Sequence, residues 1–258
     1  MKARGIALPD TLTTLDGRKV ETAEQWEKVR RPEILELFKK HVYGRAPEEK
    51  QKLQFNVEEK AGYKDGTIKR KKVNITVTGP YGQKVIQLFL FFPSKVTKPL
   101  PAFLLIDIIR TDRIDPELKE RSRYWPAEDI VSRGYAAAFF HVSDVDPDEH
   151  DGFKNGVHGI FDNPNEPRPS DAWGTIAAWA WGASRVMDYF ETDEEIDATR
   201  VAVVGHSRGG KTALWTGATD ERFAMIVSNN SGCTGAAIAR GTTGETITDI
   251  NTKFPHWF

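Results

Sequence analysis

The 258-residue sequence predicts a three-layer α/β fold built on a mostly parallel sheet, with an antiparallel hairpin leading into it. Three observations carry that expectation. From Pro101 onward, short β-branched or aromatic runs alternate with helical segments. Before that point lies an alternating strand pair joined by Gly79-Pro80-Tyr81-Gly82. Finally, Val201–Val204 runs straight into Gly205-His206-Ser207-Arg208-Gly209, with a helix-like segment behind it.

Each element has its own local reason. Thr22-Ala23-Glu24-Gln25 has capping-box spacing and opens a short helix. Pro32 suits the first turn of a second helix, to which Ile34, Leu35, Leu37 and Phe38 give an apolar face. Residues 1–45 thus read as a helical lead-in packed on a single domain spanning 1–258. Thr67–Thr78 alternates, with Val73, Ile75 and Val77 on one side, and Val85–Phe92 returns after the turn, as a hairpin at the edge of a larger sheet. Ala102–Ile106 is a buried strand, Ala127–Arg133 a helix stopped by Gly134, and Tyr135–Val142 another strand. Asp144–Arg168 is a long polar loop expected near the mouth of a site. Ser170 is placed as the cap of a helix reaching about Phe190, with Trp173, Ile176, Ala177, Ala180 and Trp181 on its packing side. Val201–Val204 is a strand, Lys211–Thr219 lies on a helix, and Phe223–Ser228 is the next strand. This order indicates an α/β-hydrolase sheet.

Composition excludes several functions. The formal net charge is −1, which gives no basis for a nucleic-acid partner or an anionic membrane surface. The longest apolar run, near Leu88–Pro93, is strand-sized and far short of a membrane span. Met1-Lys2-Ala3-Arg4-Gly5 lacks the apolar core of a signal peptide. The single cysteine, Cys233, cannot form an internal disulfide. The six histidines are scattered, without metal-ligand spacing, so neither a metal nor a cofactor is expected.

The chemistry centres on Ser207. Gly-x-Ser-x-Gly between a strand and a helix is a nucleophile elbow: the glycines permit close approach, and the sharp turn lifts the serine hydroxyl into the open. A serine hydroxyl needs a base for its proton and donors for the developing oxyanion. The backbone N–H of Arg208 supplies one donor. The second usually comes from a glycine-rich loop after an early strand, but Asp107-Ile108-Ile109-Arg110 stands there. The Arg208 guanidinium, permanently charged and one residue from the nucleophile, is the candidate replacement. Such a donor contributes about 3 kcal/mol to the transition state. The base is harder to find. The fold orders its triad serine, acid, histidine, and only His256 follows Ser207, with Glu245 and Asp249 as preceding acids. No strand-plus-helix units lie between Ser207 and His256 to carry two triad loops, so His256 reads as part of a packed aromatic turn. His206, next to the serine, should point away, and His158 lies in the polar loop.

Gly205-His206-Ser207-Arg208-Gly209-Gly210-Lys211 and Ser228-Asn229-Asn230-Ser231-Gly232-Cys233 resemble bacterial glucuronoyl esterases, carbohydrate esterase family fifteen. So do Gly235-Ala236-Ala237, Arg240, Gly244-Glu245, Asn251-Thr252 and Pro255-His256-Trp257-Phe258, and upstream Trp125-Pro126, Arg133–Ala136, Asp151–Gly156 and Asp171–Thr175. The resemblance covers nearly the whole chain. It implies an α/β-hydrolase that cleaves the ester between 4-O-methyl-glucuronic acid branches of xylan and lignin alcohols. It implies Ser207 as nucleophile, Arg208 as oxyanion stabiliser, Lys211 on the uronic-acid hydroxyls and Glu245 on the sugar ring from the other side. It also implies a secreted or periplasmic location.

The sequence departs from the family in two places. Where some members carry a catalytic glutamate, this chain has Asn230, which cannot serve as an ionised acid; members of that type place the acid on a later loop. Members also continue beyond the Pro-His-Trp-Phe segment, and their histidine lies in that continuation. The resemblance therefore implies a triad acid and histidine outside this chain, and a hydrolase fold lacking its C-terminal part and its signal. Exposed Trp257, Phe258 and neighbours of the elbow strand, with low activity and marginal solubility, are the corresponding expectations. Acetyl-xylan or another carbohydrate ester is the alternative substrate. A serine peptidase fits the elbow but not the sugar-like polar residues. A catalytically incomplete hydrolase that only binds carbohydrate is the non-enzymatic alternative. Neither the alcohol preference nor the oligomeric state is written in these residues.

Overall fold

A computed structural model describes the chain except residues 1, 4, 5, 50, 110–113, 242 and 243. Part of the N-terminal Met1–Gly5 stretch and Arg110 of the loop after the first parallel strand therefore lie outside the described residues. A two-stranded ladder, β1 (Lys2–Ala3) and β2 (Ile6–Ala7), precedes the helical lead-in. There Thr22 and Gln25 close the expected capping box on α1 (Ala23–Gln25). Two widened π turns, Trp26–Arg30 and Lys39–Tyr43, flank α2 (Arg31–Phe38), with Pro32 in its first turn. The run stops at Gly44, whose φ is 79° and where a Cβ would meet the Ala172 carbonyl at 2.2 Å. Tyr43 then stacks on Trp215 with ring centroids 4.3 Å apart.

The main sheet has seven strands: β3 (Lys52–Tyr63), β4 (Ile68–Gly79), β5 (Gly82–Pro93), β6 (Leu100–Asp107), β7 (Ala136–His141), β8 (Ile196–His206) and β9 (Met225–Asn229). Their spatial order is β3-β4-β5-β7-β6-β8-β9. The pairs β3/β4, β4/β5 and β5/β7 are antiparallel, and β7/β6, β6/β8 and β8/β9 are parallel. The hairpin forms as read, with Gly79 opposite Gly82. It is not at the edge, however, because β3 adds a further antiparallel strand outside it. Most of β3 is solvent-exposed; Leu53, Phe55 and Val57 alternate over its first half only, and of these Leu53 and Phe55 pack on the core.

Side-chain alternation divides the core between the two faces of the sheet. Val73, Ile75, Val77, Leu104, Ile106, Val201 and Val203 pack with Ile176, Trp179, Val186 and Trp215 from α6 (Thr175–Phe190) and α7 (Arg208–Thr219). On the opposite face, Phe91, Leu105, Ala137 and Phe139 pack with Trp125, Ala127 and Val131 around α3 (Ala127–Ser132). This is the three-layer arrangement expected from the sequence.

Three further expectations change. Helix α6 begins at Thr175 with Gly174 as its cap, not at Ser170. Residues before it are held extended: Arg45 bridges to Ala172, and its guanidinium binds Asp171 at 2.8 Å. The segment Asp144–Arg168 is not one open loop. It contains the end of α4 (Val142–Val145) and all of α5 (His158–Phe161), around a buried polar cluster. In that cluster Asp146 accepts a hydrogen bond from Thr175 at 2.7 Å, and its backbone carbonyl accepts one from Trp179. Trp257 is buried, against expectation, and Phe258 is half-buried against Tyr43. Strand β9 does leave Met225, Ile226 and Val227 exposed.

One buried ion pair ties β4 to the segment after α6. Lys71 Nζ lies 2.8 Å from both carboxylate oxygens of Asp193, which also accepts the Tyr189 hydroxyl at 2.7 Å. Burial alone would raise the Asp193 carboxyl, but hydrogen bonds from Lys71 and Tyr189 outweigh it and hold the group below its usual range. Removing Asp193 would leave Lys71 with Glu195 alone, 2.9 Å away, and the Tyr189 hydroxyl without its carboxylate acceptor. Asp193→Ala should therefore destabilise the fold by about 2 kcal/mol in urea denaturation, the cost of hydrogen bonds to a charged group lost from a buried site. Because the folded-state value is depressed, the carboxylate's contribution is complete above its unfolded value near pH ~4. It is lost as pH falls through the lower folded value, and the variant's acid-side loss of stability should be correspondingly smaller.

Candidate active site at the end of strand β8

Strand β8 ends at His206 and α7 begins at Arg208, leaving Ser207 alone in the turn. Its φ of 56° and ψ of −123° form a strained backbone conformation that non-glycine residues seldom adopt. The neighbouring glycines make it possible. A Cβ on Gly205 would sit 1.9 Å from the Gly209 carbonyl, and one on Gly210 would sit 2.9 Å from the Asn229 carbonyl. Ser207 N donates to Asn229 O at 2.9 Å and Lys211 N to Ser207 O at 3.1 Å, locking the turn between β9 and the helix. This is the geometry a nucleophile elbow requires. It also places Ser207 at the positive end of the α7 dipole.

Arg208 is not a free surface arginine. Its Nη2 donates to the Ile108 carbonyl at 3.2 Å, and its Nε pairs ionically with Asp148 Oδ2 at 2.5 Å, off the axis of a linear hydrogen bond. The side chain thus lies across the end of β6, over the place where a glycine-rich donor loop would otherwise stand. Asp148 is also held from its other oxygen, 3.0 Å from His256 Nε2 and 2.8 Å from Trp257 Nε1. Burial would raise the Asp148 carboxyl, but the bonds from His256 and Trp257 and the Arg208 charge hold it below its usual range.

Lys211, one turn further along α7, is buried rather than solvated, with 3% exposure. Its Nζ donates to the carbonyls of Ser231 at 2.6 Å and Cys233 at 2.5 Å and stands 6.0 Å from the centre of the Trp257 ring. Burial depresses its pKa and the Glu245 charge partly offsets this. Glu245 itself is exposed. A Cβ on Gly232 would be 3.7 Å from both Glu245 Oε2 and Lys211 Nζ, so the two groups converge on one glycine.

The histidines are engaged elsewhere. His206 Nδ1 meets the Asn229 amide at 3.2 Å, and its ring faces Tyr124 in a 590 Å³ apolar cavity with Phe103, Leu105 and Trp125. It points away from the serine, as its position predicts. His158 is wholly buried, 3.5 Å from Asp146 and from Asp162. Burial first, then the Arg168 charge, push it down to about 3, so it is neutral at ordinary pH. Burial raises Asp146 to about 7. His256 is packed beside Trp257, which stacks on Phe254 at 3.9 Å. Among the described residues no hydrogen bond joins Ser207 Oγ to a histidine or a carboxylate.

Asp148 is the site residue that sequence reasoning missed. It is one of five carboxylates between Asp144 and Asp151, and nothing in the residue pattern separates it from its neighbours. Asp107, at the end of β6, accepts the Ile109 N–H at 2.9 Å and is raised by burial to about 6.

Comparison with known proteins gives this geometry a family. The family model described as "Glucuronyl esterase, fungi" matches residues 75–255. Carbohydrate esterase MZ0003, from an unknown prokaryotic organism, is 38% identical over 97% of this chain and 64% of its own length. The 4-O-methyl-glucuronoyl methylesterase of Schizophyllum commune is 30% identical over 91% of this chain and 52% of its own. The chain thus spans between about half and two thirds of the length of these relatives. Among solved structures, a glucuronoyl esterase from Solibacter usitatus superposes with a TM-score of 0.88 at 36% identity, covering 98% of this chain and 71% of that one. One from Teredinibacter turnerae gives 0.84 at 30% identity, covering 97% and 62%. With an elbow serine followed by an arginine and, one turn on, a buried lysine, on an α/β-hydrolase sheet, the chain belongs to the glucuronoyl esterase family.

Proposed function

We propose that the protein carrying this chain is a serine carboxylic ester hydrolase that cleaves the ester between 4-O-methyl-glucuronic acid of glucuronoxylan and a lignin alcohol. The observation that carries the reading is the convergence of Ser207, Arg208 and Lys211 within little more than one turn of α7, with Glu245 beside the lysine. The names of relatives, among them a 4-O-methyl-glucuronoyl methylesterase, support the same substrate class. An apolar acyl chain would gain little from a buried ammonium and a carboxylate at its binding wall, whereas a sugar acid offers hydroxyls to both.

In this reading Ser207 Oγ attacks the ester carbonyl carbon and loses its proton to a general base. The carbonyl oxygen becomes an oxyanion, stabilised by the Arg208 backbone N–H and guanidinium. Collapse breaks the bond to the alcohol, which leaves with a proton, and water then hydrolyses the glucuronoyl-serine intermediate. Lys211 and Glu245 hold the uronic-acid ring. We assign neither the triad acid nor the triad histidine within residues 1–258. The polymeric cell-wall substrate places the enzyme outside the cytoplasm, secreted or periplasmic. No helix among the described residues is long and apolar enough to cross a membrane.

The test compares benzyl glucuronate with acetylated xylan, using the natural protein. Faster release of benzyl alcohol than of acetate is expected; equal or faster deacetylation would transfer the activity to acetyl-xylan, and ligand binding with no hydrolysis of either would leave a binding module. Ser207→Ala should abolish turnover while retaining most ligand affinity by calorimetry, because the hydroxyl contributes chemistry rather than binding. Arg208→Ala should lower kcat about 100-fold or more with little change in KM, the signature of a donor used mainly in the transition state.

A further inference from the structure

We propose that Asp148 is a positioning residue for the oxyanion arginine: it fixes the Arg208 guanidinium over the elbow before substrate arrives. The inference rests on the reading of Ser207 as nucleophile. Arginine carries about 2 kcal/mol of rotamer freedom, and a donor that must first be ordered gives up part of its catalytic advantage. Arg208 is fixed at two points, Nε on Asp148 and Nη2 on the Ile108 carbonyl. Its Nη1 makes no hydrogen bond to the described residues and is the donor left for an oxyanion.

Asp148 is itself unusually well fixed for a residue in a polar segment. Its Oδ1 faces two ring nitrogens, His256 Nε2 and the Trp257 indole N–H, so Oδ2 is left for Arg208. Both rings sit on a segment anchored to the scaffold: Thr175 N and Ile176 N, at the start of α6, donate to the His256 and Trp257 carbonyls at 2.9 and 3.2 Å. A chain of contacts therefore runs from the first turn of α6 through residues 256–257 and Asp148 to the guanidinium. The same indole faces Lys211 Nζ, so one carboxylate sets the arginine and the wall beside the lysine together.

Asp148→Asn tests this in the natural protein. The amide keeps an oxygen for His256 and Trp257 and removes only the charge that pairs with Arg208. On benzyl glucuronate, kcat should fall about 10- to 100-fold, with KM within about threefold of wild type. The loss should vanish in an Arg208→Ala background, because a positioning residue has nothing left to position. An unchanged kcat, or the same loss in both backgrounds, would overturn the proposal and leave Asp148 a structural residue. If the protein cleaves a simple aryl acetate but no glucuronate ester, the substrate reading fails and the same cycle on the acetate still decides. If it cleaves neither, crystal structures of the wild type and Asp148→Asn decide: a guanidinium displaced from the Ile108 carbonyl supports positioning, and an unmoved one refutes it.

Discussion

The site depends on β8 and α7 meeting with no side chain between them. The Gly205 Cα faces the Gly209 carbonyl at a distance that excludes even a methyl group. Because the strand cannot bend away, flanked as it is by β6 and β9, the chain must reverse in one residue. That residue takes a positive φ, and its side chain is thrown out of the sheet plane. Strain at Ser207 is thus a consequence of packing on both sides of it, sustained by the hydrogen bond from Ser207 N to Asn229 O and by the buried first turn of the helix. Nothing about the serine alone would hold it there.

A second constraint comes from the far end of the chain. The opening turn of α6 has no side-chain cap, and a buried helix start leaves N–H groups that need acceptors. The carbonyls of His256 and Trp257 meet that need. In doing so they carry an imidazole and an indole to Asp148, and through it to Arg208. The cap of a structural helix and the placement of the Arg208 guanidinium are thereby one arrangement. This also explains why Trp257 is buried when the sequence alone suggested exposure: the 254–258 turn is pinned from both its backbone and its rings.

Much of this fold was legible in the residues. Val73, Ile75 and Val77 alternate because one face of β4 is fully buried, and all three are indeed wholly inaccessible. The elbow was legible because its glycines answer a steric demand that other residues cannot meet. What escaped had no such local demand. Strand β3 alternates only over Leu53, Phe55 and Val57 and exposes most of its other side chains, and α8 (Ile247–Lys253) buries only Ile250, so the apolar period is short in the one and absent in the other. Asp148 escaped for a different reason: its partners lie 60 and 108 or more positions away, and long-range ion pairs leave no mark on neighbouring residues. The false cap at Ser170 shows the converse, a valid local signal overruled by pairing of the segment with Arg45.

The charges on α7 make the final point. A helix N-terminus favours anions, and cations there cost roughly 0.3–1 kcal/mol each. The first four residues of α7 hold Arg208 and Lys211 and no acid, the reverse of what helix stability asks. The fold compensates with groups brought from elsewhere: Asp148 for the arginine, and the Ser231 and Cys233 carbonyls with nearby Glu245 for the lysine. Stability alone would be served better by an acid at 208 and an apolar residue at 211, since the ammonium is buried at a cost and its carbonyl partners only offset it. Where local rules are broken and then repaired by distant residues, the gain lies in function. Two cations gathered around an elbow serine, each held by separate partners, are what the proposed acyl transfer from a polyhydroxylated acid would use: one charge for the developing oxyanion and another for the sugar that bears it.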